Sequence, residues 1–186
     1  FGSDWVGFGF AMGPLSVIGV VVLDFLAFAV DVLRRLLASL GGPGQIVTRL
    51  VAAGCLGQKS GSGVYRYEPG DYTRHDSPSA QSIIEQVQHD TATTPRSIDA
   101  DEITGRLVLR MVSEAFCILA EQIAQRESDI DAATVLGIGF PGFRGGILKY
   151  ARDLGLDTVI DRLEELAERF GSRFKPCELM YEMKGT

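Results

Sequence analysis

Residues 137–157 read GIGFPGFRGGILKYARDLGLD, and the arrangement of the chain follows from them. Five glycines and a proline lie among aromatic residues in the first ten positions, and a helical pattern begins at Ile147. Glycine is used at such positions because it alone takes a positive φ without strain. The sequence therefore predicts a rigid aromatic turn that leads directly into the N-terminus of a helix.

Two interpretations of this turn are open. The backbone N–H groups of Gly145, Gly146 and the residues after them lack helical partners at a helix start. These N–H groups would point outward and form a binding site for an anion or a carbonyl group. The simpler alternative is that the glycines only allow two helices to pack closely, and a single Gly-rich turn of this kind favours it.

A related stretch lies near the beginning of the chain. Residues 9–24 read GFAMGPLSVIGVVVLD, and like the longer stretch they end in Leu-Asp. Aligning those two ends places Gly13 under Gly146. The offset of roughly 130 residues is too long for a solenoid repeat, so the two copies predict two similar helical subdomains.

Length and composition allow a globular chain and argue against a nucleic-acid partner. The chain has 186 residues, 46% of them hydrophobic, which is enough to bury one good core or two small ones. The net charge is −6, and the basic residues do not form the cluster that a nucleic-acid-binding face requires.

Cysteine and histidine usage indicates the compartment and the supply of metal ligands. Cys55, Cys117 and Cys177 are odd in number and far apart, which is typical of buried thiols in a reducing compartment. We therefore expect a cytoplasmic protein. His75 and His89 are the two histidines and both lie in a polar segment, so we expect no metal site.

The uncharged run from Trp5 to Leu23 is nominally long enough to cross a membrane. It contains several glycines and Pro14, has no basic segment before it, and ends at Asp24, where an amphipathic pattern begins. A buried pair of core helices is therefore favoured over a membrane span.

Hydrophobic spacing divides the first half of the chain into helices and polar segments. Two helices are predicted before residue 41, the second starting at Asp24, and a third covers residues 46–54. Residues 56–67 are predicted to form a flexible loop and a short extended piece, because GQKSGSG is neither a Walker loop nor a dinucleotide fingerprint. Residues 69–100 are predicted to be a linker with one amphipathic interruption, and we place a domain boundary near residue 95.

The second half carries the most regular helical pattern. Residues 101–124 repeat apolar positions at helical spacing over about six turns. Residues 128–131, Ser-Asp-Ile-Asp, are predicted to cap a short helix that runs into the aromatic turn. Another helix is predicted from Asp157 to Phe170, and a last helical turn from Pro176.

The chain resembles the C-terminal domain of 3-hydroxyacyl-CoA dehydrogenases, in the tandem form of the multifunctional alpha subunit of fatty acid oxidation complexes. Five motifs span nearly the whole chain in family order. They are GFAMGPL at 9–15, LGQKSGSGVYRYE at 56–68, RMVSEAF at 110–116, the aromatic turn with its helix, and GSRFKPCELMYEM at 171–183.

The resemblance implies an all-α fold like that of the C-terminal domain of 6-phosphogluconate dehydrogenase, with no Rossmann domain in this chain. Residues 1–68 would be the end of a first helical copy, residues 69–100 a linker, and residues 101–186 a second, degenerate copy. Because the chain begins with Phe1 inside a motif, we expect a fragment of a longer enzyme of fatty acid β-oxidation. Whether that parent also carries an enoyl-CoA hydratase domain stays open.

The family oxidises 3-hydroxyacyl-CoA with NAD, using a His with a Glu partner in the preceding Rossmann domain. No catalytic, cofactor-binding or metal-binding residue is therefore expected here, and the fragment alone is expected to be inactive and to bind no NAD. The assisting Asn of the family precedes this chain, and the matching position in the second copy is Gly105.

By resemblance, the fragment would line the acyl-CoA cleft, pack against the missing NAD-binding domain and contribute to a dimer interface. The candidate substrate-binding residues are Leu136, Phe140, Pro141, Phe143, Arg144, Gly145 and Gly146. Leu136 replaces an aromatic residue of the family. Phe140 and Phe143 are alternatively core residues, and Arg144 alternatively pairs with Asp153 or Glu114.

Three further alternatives remain at this stage. Glu114, on an apolar helical face, is either a perturbed general acid or, as we favour, a residue paired with a neighbouring helix end. The whole chain is alternatively a noncatalytic interaction or scaffold module. A small membrane-attached protein is the third alternative and depends only on the run from Trp5 to Leu23.

Overall fold

The computed structural model describes Leu23, Ala27, Phe28, residues 44–71 and residues 73–184. These residues are mainly helical, and the only sheet among them is a short antiparallel pair of strands. This confirms the predicted all-α class. Two compact units divide between Ser97 and Ile98.

The first unit packs two helices and a hairpin around a small core. Its elements are α1 (Gln45–Ala52), β1 (Tyr65–Arg66), β2 (His75–Asp76) and α2 (Pro78–Asp90). Tyr65 pairs with Asp76 and Arg66 with His75 in the hairpin. The core consists of Leu50, Cys55, Ala80 and Ile83.

Helix α2 lies within residues 69–100, where the sequence predicted a linker with one amphipathic interruption. That interruption is a helix of 13 residues. The Ser77 side chain accepts a hydrogen bond from the Ala80 amide at 3.3 Å, and Pro78 takes the first helical position. Three apolar side chains of α2, Ala80, Ile83 and Val87, are buried. The segment therefore contributes to a core. Within the predicted linker, the stretch that is continuously exposed and lacks helix or strand is residues 91–99.

The loop at residues 56–62, for which the sequence predicted a flexible loop, is closed by hydrogen bonds of its own residues. The Ser60 side chain bridges the two ends of this loop. Its hydroxyl accepts a hydrogen bond from the Leu56 amide at 2.9 Å and donates one to the Ser62 carbonyl oxygen at 2.8 Å. Gly57 and Ser62 form an isolated antiparallel bridge. The predicted extended piece after the loop is confirmed as β1.

The second unit, residues 98–184, consists of helices around one larger core. The helices are α3 (Ala100–Thr104), α4 (Arg110–Ala120), α5 (Glu127–Ile138), α6 (Ile147–Leu154), α7 (Leu156–Phe170) and α8 (Glu178–Glu182). A π-helical turn, Gly105–Leu109, joins α3 to α4 without a break. The fully buried core side chains include Phe116, Phe140, Leu148, Leu163 and Met180.

Two predicted helix boundaries in this unit are wrong. The helical run that was predicted to reach Ala124 ends at Ala120, and Gln122 then takes a φ of 57° in the following turn. Helix α5 begins at Glu127, one residue before the predicted cap, and Arg126 precedes it without a side-chain cap. Asp131 therefore lies inside α5 and, contrary to the sequence prediction, does not cap the start of this helix.

Several predictions lie outside the described residues. They are the two helices before residue 41, the first copy of the repeat and the apolar run from Trp5. Within the part of the chain that is described, no helix has both the length and the hydropathy that crossing a bilayer requires.

Candidate functional site

Helices α5 and α6 are joined by the aromatic turn, residues 139–146. Gly139 ends α5 in the left-handed conformation, with φ of 71°. The Phe140 amide then donates to the Thr134 carbonyl oxygen at 3.0 Å, so the turn folds back along α5. A single 3₁₀ turn, Gly142–Arg144, follows, and Gly145 closes it with φ of 79°. The predicted turn that leads into a helix is therefore present.

Phe140 anchors this turn in the core of the second unit. Its side chain is 2% exposed, and its ring centroid lies 6.1 Å from that of Tyr150 on α6. Pro141 is buried beside it. Because a buried aromatic ring contributes a large apolar area, this anchor holds the turn on the helix pair. The alternative that Phe140 is a core residue is thus the one the structure supports.

Asp131 of α5 occupies the N-terminus of α6. Its carboxylate accepts a hydrogen bond from the Leu148 amide at 2.7 Å and from the Lys149 amide at 3.2 and 3.3 Å. Those amides are donors that a helix start leaves without helical partners. Of the two interpretations of this turn, the outward-facing anion site does not fit, because a carboxylate of the chain itself fills the position.

Gly146 is the residue that makes this contact possible. Its φ is 117°, and a Cβ built on it would lie 2.3 Å from the Cβ of Asp131 and 2.4 Å from Oδ1. No real Cβ approaches another atom so closely, so only glycine fits between the turn and the carboxylate. The alternative reading, that the glycines allow close helix packing, therefore describes Gly146.

Three large apolar side chains remain exposed around the turn. Leu136 is 86% exposed, Ile138 56% and Phe143 78%, and we call these three residues the exposed apolar patch. Leu136 and Ile138 lie in the last turn of α5, and Phe143 lies in the 3₁₀ turn. Phe143 is therefore not a core residue. Ile138 is a member of the patch that sequence reasoning did not select.

Arg144 lies beside aromatic rings. Its guanidinium carbon is 5.1 Å from the ring centre of Phe143 and 5.3 Å from that of Tyr150, within the range of cation–π attraction. Burial raises the pKa of the Tyr150 phenol, and the positive charge of Arg144 opposes that rise. Tyr150 is a second contributor to this surface that the sequence analysis did not name.

The carboxylates suggested as partners of Arg144 bind other residues. Asp153 bonds Lys149 on the same helix, and Glu114 pairs with Arg110 at 2.9 Å, one turn away on α4. The side chain of Glu114 is 56% exposed, so it does not lie in the apolar environment that a perturbed general acid needs. Glu114 is an ion-paired surface residue of α4, and the favoured alternative, a pair with a neighbouring helix end, is wrong because its partner lies on the same helix.

Residues 137–142, GIGFPG, have the glycine spacing of a dinucleotide-binding fingerprint, but their geometry is different. Gly137 lies inside α5, whereas the fingerprint requires a strand before its first glycine. The described residues contain no parallel strands, so they do not fit an NAD site. They also contain no group of three metal-ligating side chains, and His89 is a surface residue beside Asp90.

The family model for the C-terminal domain of 3-hydroxyacyl-CoA dehydrogenase matches residues 6–67 and 103–184. This chain belongs to that family. The matched segments include the loop at 56–62, helices α4 to α8 and the aromatic turn. The recognition made from the motifs is thereby confirmed.

Two sequence relatives are multifunctional proteins of fatty acid oxidation. The fatty acid oxidation complex subunit alpha of Idiomarina loihiensis is 31% identical over 178 residues, which cover 96% of this chain and 24% of that protein. A peroxisomal fatty acid beta-oxidation multifunctional protein of Arabidopsis thaliana is 37% identical over 137 residues, covering 72% and 19% respectively. The chain thus spans a quarter or less of the length of these relatives.

Two solved structures share the fold. The 3-hydroxybutyryl-CoA dehydrogenase of Escherichia coli has a TM-score of 0.70 at 20% identity, with 95% of this chain and 52% of that chain covered. The dehydrogenase part of multifunctional enzyme 1 from C. elegans has a TM-score of 0.68 at 22% identity, covering 95% and 40%. At these identities the comparison establishes the helical architecture.

Proposed function

We propose that this chain is the C-terminal helical part of a fatty acid β-oxidation enzyme with NAD-dependent 3-hydroxyacyl-CoA dehydrogenase activity. Its role in the longer polypeptide is to line the acyl-CoA cleft and to form an interface with the NAD-binding domain or with a second subunit. The family membership and the names of the relatives support this assignment. A cytoplasmic location is part of the proposal, consistent with three free cysteines.

The observation that carries the proposal is the exposed apolar patch beside Arg144. Large exposed apolar side chains that lie near one another in the chain indicate an interaction site, because leaving them in water is unfavourable. Here the buried Phe140 ring and the Asp131 contact fix the turn that carries Phe143, which lowers the entropic cost of binding. An acyl-CoA carries an apolar acyl chain, which matches exposed apolar side chains of this kind.

The proposal assigns no chemical step to these residues. Oxidation of the substrate hydroxyl requires a general base and a bound nicotinamide. The described residues do not fit an NAD site, and Gly105 stands where an Asn would assist the reaction. We therefore propose that the base and the cofactor site lie in the NAD-binding domain, and that the 186-residue chain alone does not turn over substrate.

A thermal-shift experiment with acetoacetyl-CoA tests the binding role. A ligand that binds only the folded chain stabilises it by about 2.7 kcal/mol at a hundred times its Kd, which raises the thermal midpoint. We expect the wild type to show this rise and Phe143→Ser to lose most of it. Ile123→Ser is the matched control, because Ile123 is also 71% exposed but lies outside the aromatic turn. Its response should equal that of the wild type.

The second candidate function is a noncatalytic interaction module, and the exposed apolar patch supports it as well. In that case a protein surface rather than acyl-CoA would cover Leu136 and Phe143. Acetoacetyl-CoA would then leave all three thermal midpoints unchanged. Sedimentation would show a concentration-dependent dimer of the wild type that Phe143→Ser weakens and Ile123→Ser does not.

A further inference from the structure

We infer that Asp131 determines which part of a ligand the aromatic turn accepts. Its carboxylate fixes the turn and keeps anionic groups away from the N-terminus of α6, so the turn contacts the apolar part of its ligand. This inference rests on the proposed function in taking acyl-CoA as the ligand. Its effect on the turn itself does not depend on any ligand.

The first support is the use of the helix donors. The N-terminus of a helix attracts anions through its free amides and its positive dipole end. In α6 the Leu148 and Lys149 amides already donate to Asp131, at 2.7 Å and at 3.2 and 3.3 Å. A phosphate approaching this end would meet donors that are occupied and a carboxylate of like charge.

The second support is the absence of space at the contact. The backbone of Gly146 is so close to Asp131 that an added Cβ would lie 2.3 to 2.5 Å from three of its side-chain atoms. Gly146 is also buried. A phosphate group is larger than a methyl group, so it does not fit between the turn and α6 while Asp131 is in place.

The consequence for binding follows from what remains accessible. Phe143 is exposed on the turn and Arg144 lies beside it, while Leu136 and Ile138 are exposed at the end of α5 that leads into the turn. Three of these four side chains are apolar. An acyl chain satisfies them, whereas the phosphates of CoA are excluded from α6. Asp131 is thus a positioning residue that acts through the turn and does not touch the acyl chain.

Amide exchange at two positions tests this role directly. In Asp131→Ala, exchange of the Leu148 and Lys149 amides should rise about fivefold to tenfold, as expected for loss of a helix cap. Asp129→Ala is the matched control, since Asp129 lies on the same helix and pairs with Arg126. It should leave both amides unchanged. Added formate should restore protection in Asp131→Ala alone, because its carboxylate fills the vacated position.

Inorganic phosphate tests the exclusion. Phosphate should slow exchange of the Leu148 and Lys149 amides in Asp131→Ala and should have no effect in the wild type. A wild-type response equal to that of the variant would overturn the inference, as would unchanged exchange in Asp131→Ala. If that variant does not fold, Asp131→Gly replaces it, because it also removes the acceptor: faster exchange at both amides supports the inference, and wild-type exchange contradicts it.

These outcomes are distinguishable from failure of the proposed function. The formate and phosphate measurements need no acyl-CoA, so they report on Asp131 even if acetoacetyl-CoA does not bind. Conversely, a thermal response to acetoacetyl-CoA in the wild type with no effect of Asp131→Ala on exchange would support the function and overturn the role of Asp131.

Discussion

At Gly146 the backbone has a φ of 117° and lies against the carboxylate of Asp131. Both features exclude a side chain, the first by backbone strain and the second by direct overlap. The contact joins α5 to α6 and sets the course of the turn that carries Phe140 and Phe143. The local chemistry of the candidate site therefore depends on a residue that has no side chain.

Gly146→Ala should destabilise the chain by about 2 kcal/mol or more, because the residue is strained and Asp131 must move. Urea unfolding of the purified variant measures this change. Gly137→Ala is the control, since Gly137 lies inside α5 with nothing within 4 Å of an added Cβ. It should stabilise the chain by about 0.5–1 kcal/mol. Equal effects of the two substitutions would contradict the proposed role of Gly146.

Cys117 is predicted to be a slow nucleophile. Burial raises its pKa to about 12, with a further contribution from the neighbouring Cys177 thiol. Because the thiolate is the reactive form, alkylation by iodoacetamide at pH 8 should be at least about a hundredfold slower in the folded chain than in guanidinium chloride. Mass spectrometry of the peptide that contains Cys117 gives both rates. Similar rates in the two conditions would refute the assigned environment.

At the scale of elements, an ion pair couples α1 to α2. Arg49 of α1 donates to Asp90 of α2 at 2.6 Å. This hydrogen bond lowers the pKa of Asp90 from its ordinary value of 3.8, and His89 adds to the shift. Since the folded pKa is the lower one, the contribution to stability is present above about pH 4 and is lost as pH falls through the folded pKa.

The thermal midpoints of the wild type and Asp90→Asn should therefore differ at pH 7 and converge as pH falls below 3.8. Glu85→Gln on the same helix is the comparison, because Glu85 bonds Gln81 rather than an arginine. The difference in thermal midpoint between Glu85→Gln and the wild type should not disappear in this way as pH falls. A gap for Asp90→Asn that is constant with pH would exclude the Arg49 contact as its cause.

Periodicity predicted the elements whose buried positions are apolar and regularly spaced. Helix α7 is an example, because Ile160, Leu163 and Leu166 follow one helical face. Helix α2 was obscured by its polar composition, since only three of its residues are buried. The π-helical turn at 105–109 also left no signal, because it disturbs the apolar spacing by a single residue.

The sequence predicted the aromatic turn but not the contacts that hold it in place. The glycine spacing located the turn, because a tight turn requires glycine at the positions with positive φ, and these positions are visible in the local sequence. The role of Asp131 was not predictable in that way, since its partner Leu148 is 17 residues distant. Periodicity also did not separate buried Phe140 from exposed Phe143, because residues in a turn have no fixed face.

At the scale of the whole molecule, the two compact units are connected through residues 91–99. All nine are exposed, and none lies in a helix or strand. Trypsin should therefore cleave after Arg96 before it cleaves within residues 100–170, because proteases act on exposed irregular backbone. Mass spectrometry during a short digestion identifies the order of cleavage. Earlier cleavage inside α6 or α7 would contradict this division into units.

For the whole molecule, we propose that this chain lines the acyl-CoA cleft of an enzyme whose general base and cofactor site lie in another domain. The most direct measurement is reduction of NAD by 3-hydroxybutyryl-CoA in the presence of the purified 186-residue chain. We predict no NADH above the rate without protein, because the described residues do not fit an NAD site and the base is proposed to lie in the NAD-binding domain. NADH formation in proportion to the amount of chain would contradict the account.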